Sequence, residues 1–488
     1  MGAGSFLALP AELQLEIMGI LDAGSMLSLA LSCRALHEQF KSPAIQYAYE
    51  LLLSSMQDNG ADVPLDILQL SLRRLRKGWE SLDWTFGETV KLPGDLGRYA
   101  LISGIFVKID RKGADLSVCG LSSATQTGRT RTTASLDFHA IDFTIDPSQD
   151  LIVLLEKREL PDGRRRIQAH ARCISADGAH PSAKVDSFQF DFVRHGSYSH
   201  KILLADDVVA IWSHHGDGRL LLWNWREGFL IYDSICSNLP KDIYSLEMLS
   251  REAFILMSVS GPGKFYVCKF SPMVPAPPTI VATLMLPPTA SSGLLSFVTH
   301  STQLPVRPVP GTPFMPVPDS RIHVFSLEYR TTSGQHQSYS LFVHSRAFLR
   351  PIYRDSNQTQ AEEIPWDRWG PYDTRFTERR VQPGGPCASY GCRVLCESIG
   401  GLGIDVLDFS YANPYLTSRT RRHFGPHNPS VLPPNNVFLR QVVTRLPYHV
   451  TSRSVENHYP YYAIDEERVV GMKYSLRSGE MMLEVNYF

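Results

Sequence analysis

The feature that most restricts the fold is a series of short apolar runs that recurs between turn residues from about Lys91 to the C-terminus. Residues 139–174, 201–232 and 243–270 each repeat a run, an Asp-containing turn, a very apolar run, a second turn and a third run. A repeat of about 40 to 60 residues with about four strands is typical of β-propeller blades. A two-sheet sandwich also contains short strands, but it rarely needs about four hundred residues. We therefore predict an irregular β-propeller of about six or seven blades.

Proline is concentrated between Ser271 and Asp319, a segment that contains twelve prolines. Because proline lacks the backbone N–H that a strand ladder needs, we predict that residues 271–319 form a Pro-rich insertion between two blades. A docking peptide for a partner that binds proline-rich ligands is the alternative for this segment. The final segments 461–470 and 480–487 regain the strand pattern, and we predict that they close the ring by pairing with the first blade.

The first ninety residues have apolar positions at helical spacing instead. Pro10 suits the opening of a helix that continues with Leu13, Ile17 and Leu21. Gly24 is predicted to end this helix and Ser25 to cap a second one, and a third helix is predicted from about Pro43. The fold class is thus α+β, with a helical module at 1–45, a helical linker at 46–90 and a β-rich domain at 91–488. A module of about 45 residues buries little apolar surface, so its outer face either packs on the chain or binds a partner.

Two strings in this module resemble the F-box motif. They are Leu-Pro-x-Glu-Leu-x-x-Glu-Ile-x-x-x-Leu at 9–21 and Leu29 followed by Ser32-Cys33-Arg34 and Leu36. The resemblance implies docking onto a Skp1-type linker, which joins a cullin-RING ubiquitin ligase. The positions that meet Skp1 in the family correspond here to Leu9, Pro10, Leu13, Ile17, Leu21, Leu29, Cys33 and Leu36. Many F-boxes have tryptophan where this chain has Leu36, so the pattern departs there while staying apolar. Residues 73–84 and 364–371 are similar to strings in a large group of fungal F-box proteins.

Composition excludes several classes of partner and location. The net charge is −1 and 43% of the residues are hydrophobic, so neither nucleic acid nor an acidic membrane surface is indicated as a partner. The longest apolar runs are much shorter than the roughly 20 residues of a membrane helix. Eight cysteines form no dense framework, and the chain does not open like a secretory signal. We expect a soluble protein of the cytoplasm, the nucleus or both.

Residues with possible chemistry form no complete site in the sequence. Cys387, Cys392 and Cys396 with His423 lack the second ligand pair of a structural zinc site, and the cysteines also fit a strand core. His214-His215 with Asp217 fits a polar hairpin end, and the glycine segments at 261–264 and 400–403 lack the spacing of a phosphate loop. The tryptophans at 212, 223, 225, 366 and 369, with Tyr372, are predicted to be core between blades rather than a recognition surface. We therefore predict no catalytic residues, metal or cofactor.

These observations together predict a non-enzymatic adaptor. The F-box-like module would bind a Skp1-type linker and through it a cullin, and the β-rich domain would bind a protein substrate that the sequence does not identify. Two alternatives remain. One is a Skp1-bound scaffold outside a ligase, and the other is a propeller hydrolase or binding module with an unrelated helical start.

Overall fold

The computed structural model describes residues 6–84, 86–123, 128–162, 164–192, 199–214, 218–236, 239–240, 242–290, 293–331, 333–354, 361–378, 381, 388–398, 403–410, 421–455 and 459–488. Five of the helices in these residues precede the β-rich part and two are inserted into it: α1 (Ala11–Gly19), α2 (Ala23–Ser32), α3 (Arg34–Phe40), α4 (Pro43–Ser54), α5 (Leu65–Ser81), α6 (Arg346–Tyr353) and α7 (Trp366–Asp373).

Seven sheets, the blades, form the body of the molecule, and neighbouring strands within them are antiparallel except for one added edge strand in blade 4. Two strands precede the first complete blade: β1 (Met56–Asp58) and β2 (Phe86–Pro93). Blade 1 contains β3 (Arg98–Ile102), β4 (Ile105–Ile109), β5 (Asp115–Gly120) and β6 (Arg129–Ser135). Blade 2 contains β7 (Ala140–Asp146), β8 (Leu151–Glu159), β9 (Arg165–Cys173) and β10 (Ser187–Phe192). Blade 3 contains β11 (Ser199–Ala205), β12 (Val208–His214), β13 (Arg219–Asn224) and β14 (Phe229–Asp233).

The later blades carry insertions. Blade 4 contains β15 (Ile243–Ser250), β16 (Ala253–Ser258), β17 (Lys264–Lys269) and β18 (Thr279–Met285). The next strands in the chain are β19 (Leu294–Thr299), β20 (Phe314–Pro316), β21 (Ile322–Arg330), β22 (His336–His344), β23 (Glu362–Ile364) and β24 (Thr374–Thr377). Blade 5 consists of β19, β21, β22 and β24, while β20 pairs with β1 and β23 adds a parallel edge strand to β18 of blade 4.

Blades 6 and 7 complete the ring. The remaining strands are β25 (Ser389–Tyr390), β26 (Arg393–Glu397), β27 (Gly403–Asp408), β28 (Arg421–Phe424), β29 (Ser430–Leu432), β30 (Val442–Thr444), β31 (Tyr448–Ser454), β32 (Tyr461–Ile464), β33 (Arg468–Ser475) and β34 (Glu480–Tyr487). Blade 6 has the order β25, β26, β27, β31, β28, and β29 pairs with β30 beside blade 5. In blade 7 the order is β32, β33, β34, β2, so the first long strand of the chain pairs with the last.

The hydrophobic core is divided among the spaces between neighbouring blades. One apolar cluster lies between each consecutive pair, and the cluster between blades 7 and 1 joins residues such as Leu101 and Phe106 to Val470 and Leu483. The central strands of a blade are therefore buried on both faces and read as nearly continuous apolar runs, as in Leu151–Leu155 of β8. The propeller predicted from the sequence is confirmed, with seven blades. The C-terminal segments 461–470 and 480–487 do close the ring, but they form blade 7 with β2 instead of pairing with blade 1 as predicted.

Several boundaries differ from the sequence prediction. The predicted Pro-rich insertion 271–319 contains the outer strand of blade 4 (β18) and the inner strand of blade 5 (β19), so it is not one inserted loop. The part between β19 and β20 crosses one end of the ring. There Gln303 Oε1 accepts hydrogen bonds from Leu204 N at 2.8 Å and Thr144 Oγ1 at 3.2 Å. The β-rich domain also begins earlier than residue 91, because β2 starts at Phe86.

Candidate docking site on the helical head

Helices α1 to α4 form a small helical head with its own apolar centre. Met18, Met26 and Ile45 are almost fully buried there, and partly buried residues from all four helices pack around them, among them Leu15, Leu29, Phe40 and Leu52. This cluster is the smallest in the molecule, which agrees with the limited apolar surface that about 45 residues can bury.

The turn before α1 is fixed by a buried glutamine. Gln14 is 4% exposed, and its Nε2 donates a hydrogen bond to the carbonyl of Leu9 at 2.7 Å. Its Oε1 accepts from Gln39 Nε2 of α3 at 2.6 Å. A buried amide bonded on both sides holds its neighbours in one geometry. The Leu9-Pro10 pair therefore stands at a defined position in front of α1.

The start of α2 differs from the prediction. Asp22, not Ser25, is the capping residue: its carboxylate accepts from Ser25 N at 3.0 Å and from Ser25 Oγ at 2.5 Å. These bonds from Ser25 lower the pKa of Asp22. Gly24 lies inside α2 rather than at the end of α1. The second predicted helix is also divided, because Cys33 has extended backbone angles between α2 and α3.

The eight residues assigned to Skp1 binding by resemblance lie at three depths. Leu9, Pro10 and Leu13 are exposed, with Leu9 at 37% and Leu13 at 44%. Ile17, Leu21, Leu29 and Cys33 are half-buried. Leu36 is only 4% exposed, because α3 turns it into the protein, and it is therefore not on the surface. Of the eight predicted positions, those at the start of α1 are therefore exposed, and those later in the head are partly or fully buried.

The head has three further exposed aliphatic residues outside the predicted set. They are Leu7 at 50%, Ile20 at 80% and Leu31 at 70% exposed. Ile20 follows Leu13 and Ile17 at i+7 and i+3, so continuing the helical count would have found it. Together with Leu9, Pro10 and Leu13 these residues define what we call the apolar head face. Large exposed aliphatic side chains grouped on one module are typical of a protein-docking surface.

The head is attached to the propeller by α5. Trp79 of α5 is 1% exposed and lies in the cluster between blades 6 and 7, where Nε1 donates to the carbonyl of Glu466 at 2.8 Å. Its ring packs on Phe488 at 4.8 Å, and the Arg393 guanidinium lies 4.8 Å from the ring centroid. Strand β1, which follows α4, pairs with β20. These contacts join the head to one end of the ring.

Glu247, Arg321 and His323 form a buried network between blades 4 and 5. Glu247 Oε1 lies 3.0 Å from His323 Nδ1 and 3.1 Å from Arg321 Nη2, and His323 Nε2 lies 3.0 Å from Ser345 Oγ. Burial opposes ionisation of Glu247, but the neighbouring His323, Arg321 and Lys201 lower its pKa to about 2. The order Ser345–His323–Glu247 matches a nucleophile, base and acid.

This network does not have the exposure of an active site. Ser345 is 3% and His323 1% exposed, and Ser345 Oγ donates to the carbonyl of Arg321 at 3.0 Å. A nucleophile must reach its substrate, so in this arrangement the three side chains join two blades rather than face a ligand. The sequence analysis missed the network because Glu247 lies 74 residues before Arg321 in the chain.

The other residues with possible chemistry lie in or beside the strands of the blades, or outside the described residues. Cys392 and Cys396 are buried in the cluster between blades 5 and 6, as the core interpretation predicts, while Cys387 lies outside the described residues. The rings of His423 and His449 lie side by side, with centroids 4.7 Å apart and planes tilted by 44°. Within the described ranges no group of three or more His, Cys, Asp or Glu side chains could hold a metal ion. His215, Asp217 and residues 400–402 also fall outside the described ranges.

The aromatic prediction is correct for the tryptophans, which are buried between blades. It is wrong for Tyr372, which is 67% exposed on α7. Among the helices of the described residues, none is both long and apolar enough to cross a membrane.

No family model matches this chain, and no curated protein does. Solved structures with a similar arrangement include BamB from Moraxella catarrhalis, at 8% identity and a TM-score of 0.35, covering 83% of this chain and all of that one. The RRP9 WD40 repeats match at 8% identity with a TM-score of 0.37, and the match covers 82% of this chain and 98% of that one. The WD40 domain of SCAP from fission yeast matches at 9% identity with a TM-score of 0.34, and the match covers 80% of this chain and 82% of that one. The class is set by the seven sheets themselves: a seven-bladed β-propeller with an attached helical head.

Proposed function

We propose that this chain is a substrate-recognition adaptor of an SCF-type ubiquitin ligase. The apolar head face binds a Skp1-type linker, and through it a cullin, while the propeller binds a protein target. The observation that carries the proposal is the exposure of Leu9, Pro10 and Leu13, the residues that the F-box resemblance assigns to Skp1, at a turn fixed by the buried Gln14. Half-buried Ile17, Leu21, Leu29 and Cys33 lie behind them.

The attachment of the head supports an adaptor role. Because α5 is packed into the seam between blades 6 and 7, a linker bound to the head is held at a constant distance from the ring. Holding a ligase and a target in one assembly raises the effective concentration of target lysines near the conjugating enzyme. No side chain of this protein takes part in bond chemistry in this mechanism.

Binding to a recombinant Skp1-type linker tests the proposal. We expect the full chain to bind the immobilised linker and the double variant Leu9→Ala with Pro10→Ala to bind at least tenfold more weakly, because an interface centre loses two apolar contacts. The matched control is Met273→Ala with Val274→Ala, two side chains that are each 55% exposed on blade 4 and should not affect binding. Melting temperatures show that both variants remain folded.

Addition of a cullin separates the adaptor from the alternatives. A complex of chain, linker and cullin supports the ligase adaptor, whereas a complex with the linker that excludes the cullin supports a scaffold outside a ligase. Equal binding of the linker by the parent and the Leu9→Ala, Pro10→Ala variant, or binding by neither, would contradict the proposal. Failure of binding would leave a propeller binding module or hydrolase with an unrelated helical start.

A further inference from the structure

The loop that joins β17 to β18 in blade 4 is rich in proline and stands out from the protein. Its central part, residues 274–278, has the sequence Val-Pro-Ala-Pro-Pro. Val274 is 55% exposed, and Pro275, Ala276 and Pro277 are exposed as well. In the part of the chain that the structure describes, residues 274–278 make no main-chain hydrogen bond. The loop therefore contributes neither to a strand ladder nor to the core.

Proline fixes the backbone of this loop in an extended form. Each proline holds its own φ angle at about −65°, and the residue before a proline is kept out of the helical region. Every residue of 274–278 is either a proline or directly precedes one. Such a run favours the polyproline II helix, which has about three residues per turn and no internal hydrogen bonds. Pro275 and Pro278 are three positions apart, so they lie on the same edge of that helix.

Both ends of the loop are anchored to the blade. Pro272 is buried, and its carbonyl accepts a hydrogen bond from Asn224 Nδ2 at 3.1 Å. Asn224 is itself fully buried at the end of β13. At the other end Thr279 begins β18 and is paired with Lys269 of β17. A loop held in this way loses little conformational entropy when a partner binds to it.

The other run of alternating prolines, residues 305–310, is used inside the protein. Pro305 and Val309 are buried, and Arg307 Nη2 binds Asp206 Oδ1 at 2.8 Å. This run belongs to the segment that crosses one end of the ring. A partner domain could not enclose it without breaking those contacts. The two runs are alike in composition, but only the loop of blade 4 is available to enter a groove.

We propose that residues 274–278 are a docking motif for an SH3 domain of another protein. SH3 domains bind polyproline II segments of the pattern Pro-x-x-Pro in a groove lined by aromatic side chains. Pro275 and Pro278 supply the two prolines of the pattern. Val274 and Pro277, each directly before one of them, supply further apolar contacts. This motif is independent of the apolar head face and of the proposed function.

The residues around the motif define the kind of contact it makes. No charged residue occurs from Phe270 to Pro288, so the contact is apolar and we expect it to be insensitive to salt. A WW domain is disfavoured as the partner, because Thr279 and Ile280, which follow the last two prolines of the motif, offer it no aromatic side chain.

An array of recombinant SH3 domains tests the proposal on the full chain. We expect at least one domain to bind the parent, with an affinity that changes little between about 50 and 200 mM salt. Pro275→Ala with Pro278→Ala should weaken this binding at least tenfold, because the groove loses both prolines of the pattern. An array on which no SH3 domain prefers the parent to this variant would overturn the proposal.

Prolines of the crossing segment provide the matched control. Pro308→Ala with Pro310→Ala removes two exposed prolines from the other run and should leave SH3 binding unchanged. Melting temperatures show that both variants remain folded. Equal weakening of SH3 binding by the control variant would place the contact elsewhere and contradict the proposal. So would binding of the parent by WW domains on the same array without binding by any SH3 domain.

Discussion

The side chain of Arg375 organises a long insertion of blade 6 through hydrogen bonds to main-chain carbonyls. It is 1% exposed, and its guanidinium donates to the carbonyl groups of Asn428 at 2.9 Å, Gly425 at 3.0 Å and Thr444 at 3.1 Å. Bonds to Leu446 and Phe424 carbonyls complete the set. Burial lowers the pKa of Arg375, but the carbonyl dipoles around the group compensate for lost water. One side chain thus fixes residues 424–446 on blade 5.

Replacement of Arg375 should therefore lower the free energy of unfolding. Arg375→Met removes five hydrogen bonds to main-chain carbonyls, three of them buried, and we expect the free energy of unfolding to fall by roughly 3–5 kcal/mol. Urea unfolding measures the loss, and hydrogen exchange should show it first in residues 424–446. Arg111→Met, at an exposed site, is the control and should change stability by less than about 0.5 kcal/mol. Equal urea midpoints for the two variants would contradict this account.

Buried histidines make stability depend on pH. Burial, with the positive charges of Arg421 and His423, lowers the pKa of His449 to about 4 against an opposing effect of Asp408. His200 and His300 also have pKa values lowered to about 4. The unfolded chain takes up these protons near pH 6.5, before the folded protein does. The contribution of these histidines to the free energy of unfolding is therefore complete above about pH 6.5 and is lost as the pH falls toward 4.

A substitution isolates the contribution of His449. Its two ring nitrogens have no hydrogen-bond partner among the described residues, so the neutral form is tolerated and the charged form is not. We expect His449→Gln to lose less stability than the parent when urea unfolding is compared at pH 7.5 and pH 5. His139→Gln, at an exposed histidine, should keep the pH dependence of the parent. Identical profiles for all three proteins would exclude His449 as a contributor.

At the scale of elements, the sequence predicted strands better than it predicted their turns. Residues 99–109 and 201–212 read as single apolar runs, yet each is a hairpin of two strands. The turn residues Ser103 and Asp206 have positive φ angles of 47° and 55°, and each lacks the Asn-Gly or Asp-Gly signal of such turns. Strands buried on both faces carry no alternation that would show the chain reversing direction.

Proline content misled the prediction in a different way. Residues 271–319 were predicted as an insertion, but Thr279–Met285 and Leu294–Thr299 within it contain no proline and form ladder strands. The average composition of a segment hides short strands between its prolines. The network of Glu247, His323 and Ser345 could not be predicted for another reason: only the packing of blade 4 against blade 5 brings Glu247 to the two residues of blade 5.

The helical head shows which part of a docking site a sequence can predict. Helical spacing and the F-box resemblance located the apolar positions, and Leu9, Pro10 and Leu13 do lie on the surface. The burial of Leu36 could not be predicted, because periodicity does not show which side of a helix faces the rest of the protein. The break at Cys33, which separates α2 from α3, turns Leu36 inward. Skp1 binding itself stays a prediction.

For the molecule as a whole, the ring depends on a contact between its two ends. Strand β2 pairs with β34 along eight residues, from Phe86 opposite Tyr487 to Pro93 opposite Glu480. The closing strands also bring blade 7 against blade 1, where Leu92 and Leu483 share one apolar cluster with Leu101 and Phe106. A ring closed in this way has no exposed blade face on which unfolding could begin.

Two engineered disulfides compare ring closure with local pairing. Met482 is opposite Lys91 of β2 and also opposite Lys473 of β33. Lys91→Cys with Met482→Cys links the ends of the propeller, whereas Lys473→Cys with Met482→Cys links one hairpin. The two variants share Met482→Cys and differ mainly in the length of chain that the bond encloses. The native cysteines are common to both.

The loss of entropy in the unfolded chain makes the long link the more stabilising one. Enclosing nearly four hundred residues instead of about ten should add about 3 kcal/mol to the free energy of unfolding. We therefore expect the urea midpoint of the oxidised Lys91–Met482 variant to exceed that of the oxidised Lys473–Met482 variant, and the difference to disappear after reduction. Equal midpoints in the oxidised state would mean that the ends of the ring already stay together in the unfolded chain, or that unfolding begins in a blade without opening the ring. Either result would contradict a ring that unfolds by separation of β2 from β34.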